Sequence, residues 1–255
     1  EPLLEPGAYA DDRVFACICM EGDDLHADLV DDLAERGHPV VRISVEDPTS
    51  IGAEMYRWEF ATAVAGAIMG IDAFDQPNVQ ESKDKTNEVL DTYSQTGELP
   101  EQHADVVEDA IGSGDVRGAV GSLLDSIKPG DYFAIMAYLK RDGIVDNAVA
   151  QMRSEVAVGR DVATTFGYGP RFLHSTGQLH KGGPNTGVFL QLTSEGGSEV
   201  DVPGEDYDFA TLKDAQAAGD LAVLEGRDRR VMRIDLGDDV ATNLGRLEEM
   251  FVEEA

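Results

Sequence analysis

Two short apolar runs, joined through one amphipathic stretch, constrain this chain more than any other feature. Arg13 to Met20 (RVFACICM) is apolar and bounded by charge, which reads as a buried strand. Asp24 opens a helix to about Arg36, with Leu25, Leu29, Leu33 and Ala34 on one face and Gly37 as its stop. His38 to Val45 (HPVVRISV) reads as a second strand. Two strands joined through a helical crossover pair in parallel, the βαβ unit. The expected fold class is therefore α/β, with open, mostly parallel sheets flanked by helices.

The alternation continues. Ile51 to Gly70 reads as a helix that carries the single tryptophan, Trp58. It is apolar nearly all round, so burial between a sheet and another layer is expected. A helix from about Val79 or Glu81 to Tyr93 follows. Asp115 to Ile127, Asn147 to Val158, Asp208 to Gly226 and Asp239 to Glu253 read as helices. Tyr132 to Leu139, Val162 to Phe166, Val188 to Thr193 and Arg230 to Asp235 read as strands. Ser94 to Glu108 (SQTGELPEQHADVVE) is polar and acidic, and His103 within it reads as solvated. The expected division is 1–93, an acidic link 94–114, and a C-terminal α/β portion 115–255.

Charge sets limits on partners. The 255 residues hold 50 acids against 20 bases, a net charge of −30. Such a surface repels nucleic acid and anionic membranes, so neither is an expected partner. The longest apolar stretch, Ala61 to Ile71, is too short to cross a bilayer. No basic, apolar leader opens the sequence, and a cytoplasmic setting is expected. Self-repulsion of this size should be relieved by screening. The unfolding temperature is expected to rise by several degrees between low and molar salt; a flat response in a thermal melt series would contradict an adaptation to salt.

Cys17 and Cys19, two apart on a strand, should point to one side. A disulfide between them is sterically unfavourable and no CxxC metal pattern occurs, so two buried free thiols in a reducing cytoplasm are expected. No metal or organic cofactor is expected.

Two segments carry chemistry. In IDAFDQPNVQESK, residues 71–83, a helix runs into a loop that presents Asp75, Gln76 and then Lys83 at the start of the next helix. Asp75 could cap that helix, Gln76 offers donors and an acceptor to a hydroxylated ligand, and the Lys83 ammonium could reach a polyol or phosphate. A lysine in such a place is equally the usual partner of a surface ion pair. RFLHSTGQLHKGGPNTGVF, residues 171–189, gathers Arg171, His174, Gln178, His180 and Lys181 among glycines. Glycines allow a backbone to approach a ligand, and successive N–H groups can form an anion nest. The same stretch could be a tight connection and nothing more.

The first segment resembles the closing motif of phosphoglucose isomerases, N-x-F-D-Q-x-G-V-E-x-x-K, with Phe74, Asp75, Gln76, Val79 and Lys83 in register. Asp72, Asn78 and Gln80 replace the family's Asn, Gly and Glu. Glu59 and Gly66 match the family's preceding Y-E-H-x-x-F-x-x-G helix. The LHSTGQ portion of the second segment resembles the histidine segment of bacterial members, although there it precedes the lysine segment. More broadly, the chain resembles the isomerase half of transaldolase/glucose-6-phosphate isomerase fusion proteins. The resemblance implies a sugar-isomerase (SIS)-like fold and the C-terminal part of an enzyme interconverting glucose 6-phosphate and fructose 6-phosphate. It implies Lys83 and His174 as catalytic groups, His180 being the second candidate for the histidine. Gln76, Gln178, His180 and Lys181 would contact substrate, and Glu59 and Asp75 would be supporting groups, Glu59 buried. The partners it implies are a sugar phosphate, upstream isomerase and transaldolase domains, and a second copy in a homodimer. The family's glutamate base, in E-S-x-G-K, does not occur in these 255 residues.

Overall fold

The computed structural model describes residues 3–100, 111, 113–194 and 200–255. Most of the expected acidic link 94–114, His103 included, lies outside the described residues. The chain divides into two compact units, Leu4–Asp75 and, apart from the first residues, Gln76–Ala255. The boundary thus falls at 75/76 and not at 93/94, because the helix after it packs into the second unit.

In the first unit, β1 (Phe15–Met20) pairs in parallel with β2 (Val40–Val45), joined by α1 (Ala27–Glu35). Val30 and Leu33 of α1 are buried, whereas Leu25, exposed ahead of the helix, and Ala34, exposed on it, do not form the expected apolar face. α2 (Ile51–Met69) follows a 3-10 turn, Pro48–Ser50, whose Asp47 accepts from the Thr49 and Ser50 N–H groups. Its expected burial is not found: Met55, Tyr56, Phe60 and Ile68 are 60–82% exposed. A two-stranded sheet has too little apolar surface to cover a helix that is apolar on every side.

The second unit is a three-layer α/β sandwich. Its parallel sheet has the order β4-β3-β5-β6, with β3 at Tyr132–Ala137, β4 at Ala163–Tyr168, β5 at Gly187–Thr193 and β6 at Arg230–Asp235. Side chains alternate between the faces with the strand period of two. Phe133, Ile135, Val188, Leu190 and Leu192 pack on one side with Val120 and Leu124 of α4 (Gly114–Asp125), Val149 and Met152 of α5 (Gly143–Gly159), and Leu244 and Phe251 of α8 (Val240–Glu254). Ala134, Met136, Tyr138 and Phe189 face Phe172, Leu173 and, on α7 (Phe209–Gly226), Ala217 and Leu224. Right-handed crossovers leaving β3 and β5 in opposite directions put their helices on opposite faces. The gap between these two strands is the switch point, where α/β sheets open a crevice at their C-terminal ends.

α3 (Pro77–Thr96) lies against α7 in this unit. Its buried residues Val79, Ser82, Thr86 and Leu90 follow helical spacing. Gly219 lets the two helices approach, since a Cβ there would sit 2.7 Å from the Thr86 backbone nitrogen. Among the described residues no helix is long and apolar enough to cross a membrane.

Candidate functional site

The chain after β4 turns through a cis Gly169–Pro170 bond into a 3-10 turn, Arg171–His174, and then into a six-residue helix, α6 (Gly177–Gly182). The glycine-rich stretch is therefore mostly helical and not an open loop. Phe172 and Leu173 anchor the turn in the core, which leaves His174 exposed at its end. On α3, Lys83 is exposed one turn beyond the buried Val79.

These two side chains line one cavity of about 320 Å³, together with Gln80, Asn87, Tyr207 and Gln216. Val79, Leu90, Leu173 and Leu212 form its apolar part, and Ser82 and Thr86 reach it from the buried edge of α3. The volume is at the lower end of the range for small-molecule sites. The chain has 50 acids in 255 residues, yet no carboxylate lines this cavity among the described residues. A lysine, a histidine and amide or hydroxyl groups can hold an anion that also bears hydroxyls.

The remaining expected residues lie elsewhere. Gln76 is exposed at the N-cap of α3, makes no side-chain cap, and does not line the cavity. Asp75, expected as a cap, is exposed and belongs to the first unit; Pro77 in the first turn of α3 has no N–H that would need one. Glu59, expected to be buried, is exposed on α2, and the buried acid of that helix is Glu54, paired with Arg57 at 2.5 Å.

Gln178, expected to contact substrate, ties α6 to α3 instead. Its Oε1 accepts from the Asn78 N–H at 3.0 Å, and its Nε2 donates to Asn78 Oδ1 at 2.7 Å. Asn78 then donates to Glu81 at 3.0 Å, and Arg227 donates to the same carboxylate oxygen at 2.7 Å. These bonds, that from Asn78 first, hold Glu81 below the usual carboxylate range.

His180 and Lys181, also expected at the substrate, are 3% and 0% exposed and line no part of the cavity. His180 stacks on Tyr132, and its Nδ1 lies 2.8 Å from the tyrosine hydroxyl. Burial first, and then the neighbouring Lys181, push the imidazole down from 6.5 to about 4. Because the folded value is depressed, the stabilisation from keeping His180 neutral is complete above pH 6.5 and is lost as pH falls towards 4. The shift corresponds to about 3 kcal/mol. In a urea series, the stability of the wild type relative to His180→Gln is expected to fall by that order across this window. The comparison cancels the general relief of repulsion as the acids protonate, and a constant difference would contradict the assignment.

Lys181 forms an ion pair with Asp220 of α7, both wholly excluded from solvent. The hydroxyls of Ser82 and Tyr138 face the same carboxylate without well-directed hydrogen bonds. Burial pushes Asp220 up in spite of its lysine, and burial and Asp220 push Tyr138 up as well. This cluster joins α6, α7, α3 and the residue that follows β3, beneath the cavity-lining Ser82. Among the described residues, no group of three metal-binding side chains occurs.

The described fold and cavity define a parallel α/β protein with a small polar crevice beside α3. No family profile and no curated protein matches the chain. Among solved structures, a hypothetical protein from Thermus thermophilus is similar, with 16% identity and a TM-score of 0.44. The match covers 94% of this chain and 57% of that one, so the chain spans little over half the length of that structure.

Proposed function

We propose that the cavity beside α3 binds a phosphorylated sugar and supplies the ring-opening half of an aldose–ketose isomerase acting on glucose 6-phosphate and fructose 6-phosphate. One observation carries this reading: Lys83 and His174, singled out in two separate segments, line the same cavity. Ring opening needs one group to protonate the ring oxygen and another to take the proton of the anomeric hydroxyl. An ammonium and an imidazole in one crevice suit that pair, each such transfer contributing roughly 10²–10⁴ in rate. Gln80, Asn87, Tyr207 and Gln216 offer donors and acceptors to the sugar hydroxyls.

The later step moves a proton between C1 and C2 through an enediol and calls for a carboxylate. By the family resemblance that base lies in an upstream isomerase domain. The same lack of a lining carboxylate supports a second reading, a sugar-phosphate-binding module without turnover. Both readings require binding, which calorimetry measures. Fructose 6-phosphate is expected to bind the chain, and Lys83→Ala to weaken it by about tenfold or more, roughly 1.4 kcal/mol. Equal affinity of the variant, or no binding by the wild type, contradicts both readings. The two then separate by isomerase assay of the intact protein, in which a binding module gives no turnover.

A further inference from the structure

The sulfurs of Cys17 and Cys19 are 3.0 Å apart, on the side of β1 where both residues are half-buried. A second cavity, of about 250 Å³, is lined by both cysteines together with Leu25, Val30, Arg42 and Ser44. Cys17 stands directly across the strand pair from Arg42, whose guanidinium is held by Asp31 at 2.6 Å. Neither cysteine has a part in the sugar-phosphate reading.

We propose that Cys17 and Cys19 are an oxidation site that closes reversibly into an intramolecular disulfide by exchange with a small-molecule disulfide admitted to this cavity. The Cys17 thiolate attacks one sulfur of the small disulfide, and the S–S bond breaks to release one small thiolate. The Cys19 thiol gives its proton to solvent and attacks the Cys17 sulfur, expelling the second small thiolate. Two electrons pass from the protein to the small disulfide, which leaves as two thiols. The hydrogen bond with Cys17, followed by burial, raises the Cys19 thiol, which fits its role as the second sulfur to react.

The expectation of free thiols rested on the sterics of a bridge between residues two apart on a strand. An extended i, i+2 pair separates its Cα atoms by about 6.6 Å. That is near the far end of the ~4.4–6.8 Å that disulfides span, so the bridge can form but is under strain. Strained bridges are the readily reduced ones.

The test exposes the full chain to excess oxidised glutathione, blocks remaining thiols with an alkylating agent, and measures intact and peptide masses. The expected result is a loss of two hydrogens, a Cys17–Cys19 linked peptide, and full reversal by dithiothreitol. In Cys19→Ser, Cys17 is expected to retain a glutathionyl adduct, because the resolving thiol is gone. Two alkylated thiols, two glutathionyl adducts on one chain, or a disulfide between chains would each overturn the proposal. The wild-type measurement decides it even if the variant is unstable.

Discussion

Replacing Lys181 with methionine is expected to destabilise the folded chain by about 3–5 kcal/mol, the usual effect of stranding a buried charge. The lysine and Asp220 are wholly buried, so removing one leaves the other with neither water nor a counter-charge. The hydroxyls of Ser82 and Tyr138 that face Asp220 cannot replace the cation. Burial already raises Asp220, and in the variant the acid is expected to take up a proton on folding. The stability of Lys181→Met should therefore improve at lower pH relative to the wild type. Adding Asp220→Leu should recover most of the loss, because apolar replacements of a whole buried pair are often neutral or stabilising. Urea unfolding of the two single variants and the double one measures the cycle. A single variant as stable as the wild type would mean that the pair contributes nothing.

In the intact isomerase that we propose, Lys83→Ala is expected to lower kcat by roughly 10²–10⁴, the range for one positioned proton transfer. Lys83 is exposed and pairs with no acid among the described residues, so the variant should fold normally. Its unfolding midpoint is the control. His174→Ala should show a loss of the same order, and the two losses should not add fully if both side chains serve one ring-opening step. If the fold is intact and turnover undiminished, Lys83 has no part in the chemistry.

The parallel β1–α1–β2 unit was legible because its two apolar runs are short and bounded by charge, although only Leu33 of the expected α1 face is buried. The strands of the second unit were legible for the same reason, while its faces, with Phe133, Ile135 and Ala137 on one and Ala134, Met136 and Tyr138 on the other, were not, since all six residues are apolar. α2 shows the limit of that logic. Its composition is that of a buried helix, but composition does not supply the surface that would cover it. The domain boundary was misplaced because α3 looks like a continuation of α2, while its Val79, Ser82 and Thr86 stripe is matched to α7.

At the cavity, Lys83 and His174 were reached through motifs, because nothing local in either segment points to the other. Asn87 was missed although it stands four residues after Lys83, on the same side of the helix, and that spacing was available. Tyr207 and Gln216 gave no such signal, since their place depends on how α7 meets α3. His180 and Lys181 lie away from the cavity for a related reason. Polar residues in a glycine-rich stretch suggest a ligand, but their partners here are Tyr132 and Asp220, far away in the sequence.

In the proposed function, one cavity, bordered by α3 and the turn after β4, takes the sugar phosphate. Titrating fructose 6-phosphate into the isotopically labelled chain, with NMR resonances followed residue by residue, tests it most directly. Shifts concentrated at Gln80, Lys83, Asn87, Leu173, His174 and Tyr207 are expected. Shifts confined to Leu4–Asp75, or none at saturating sugar phosphate, would contradict it.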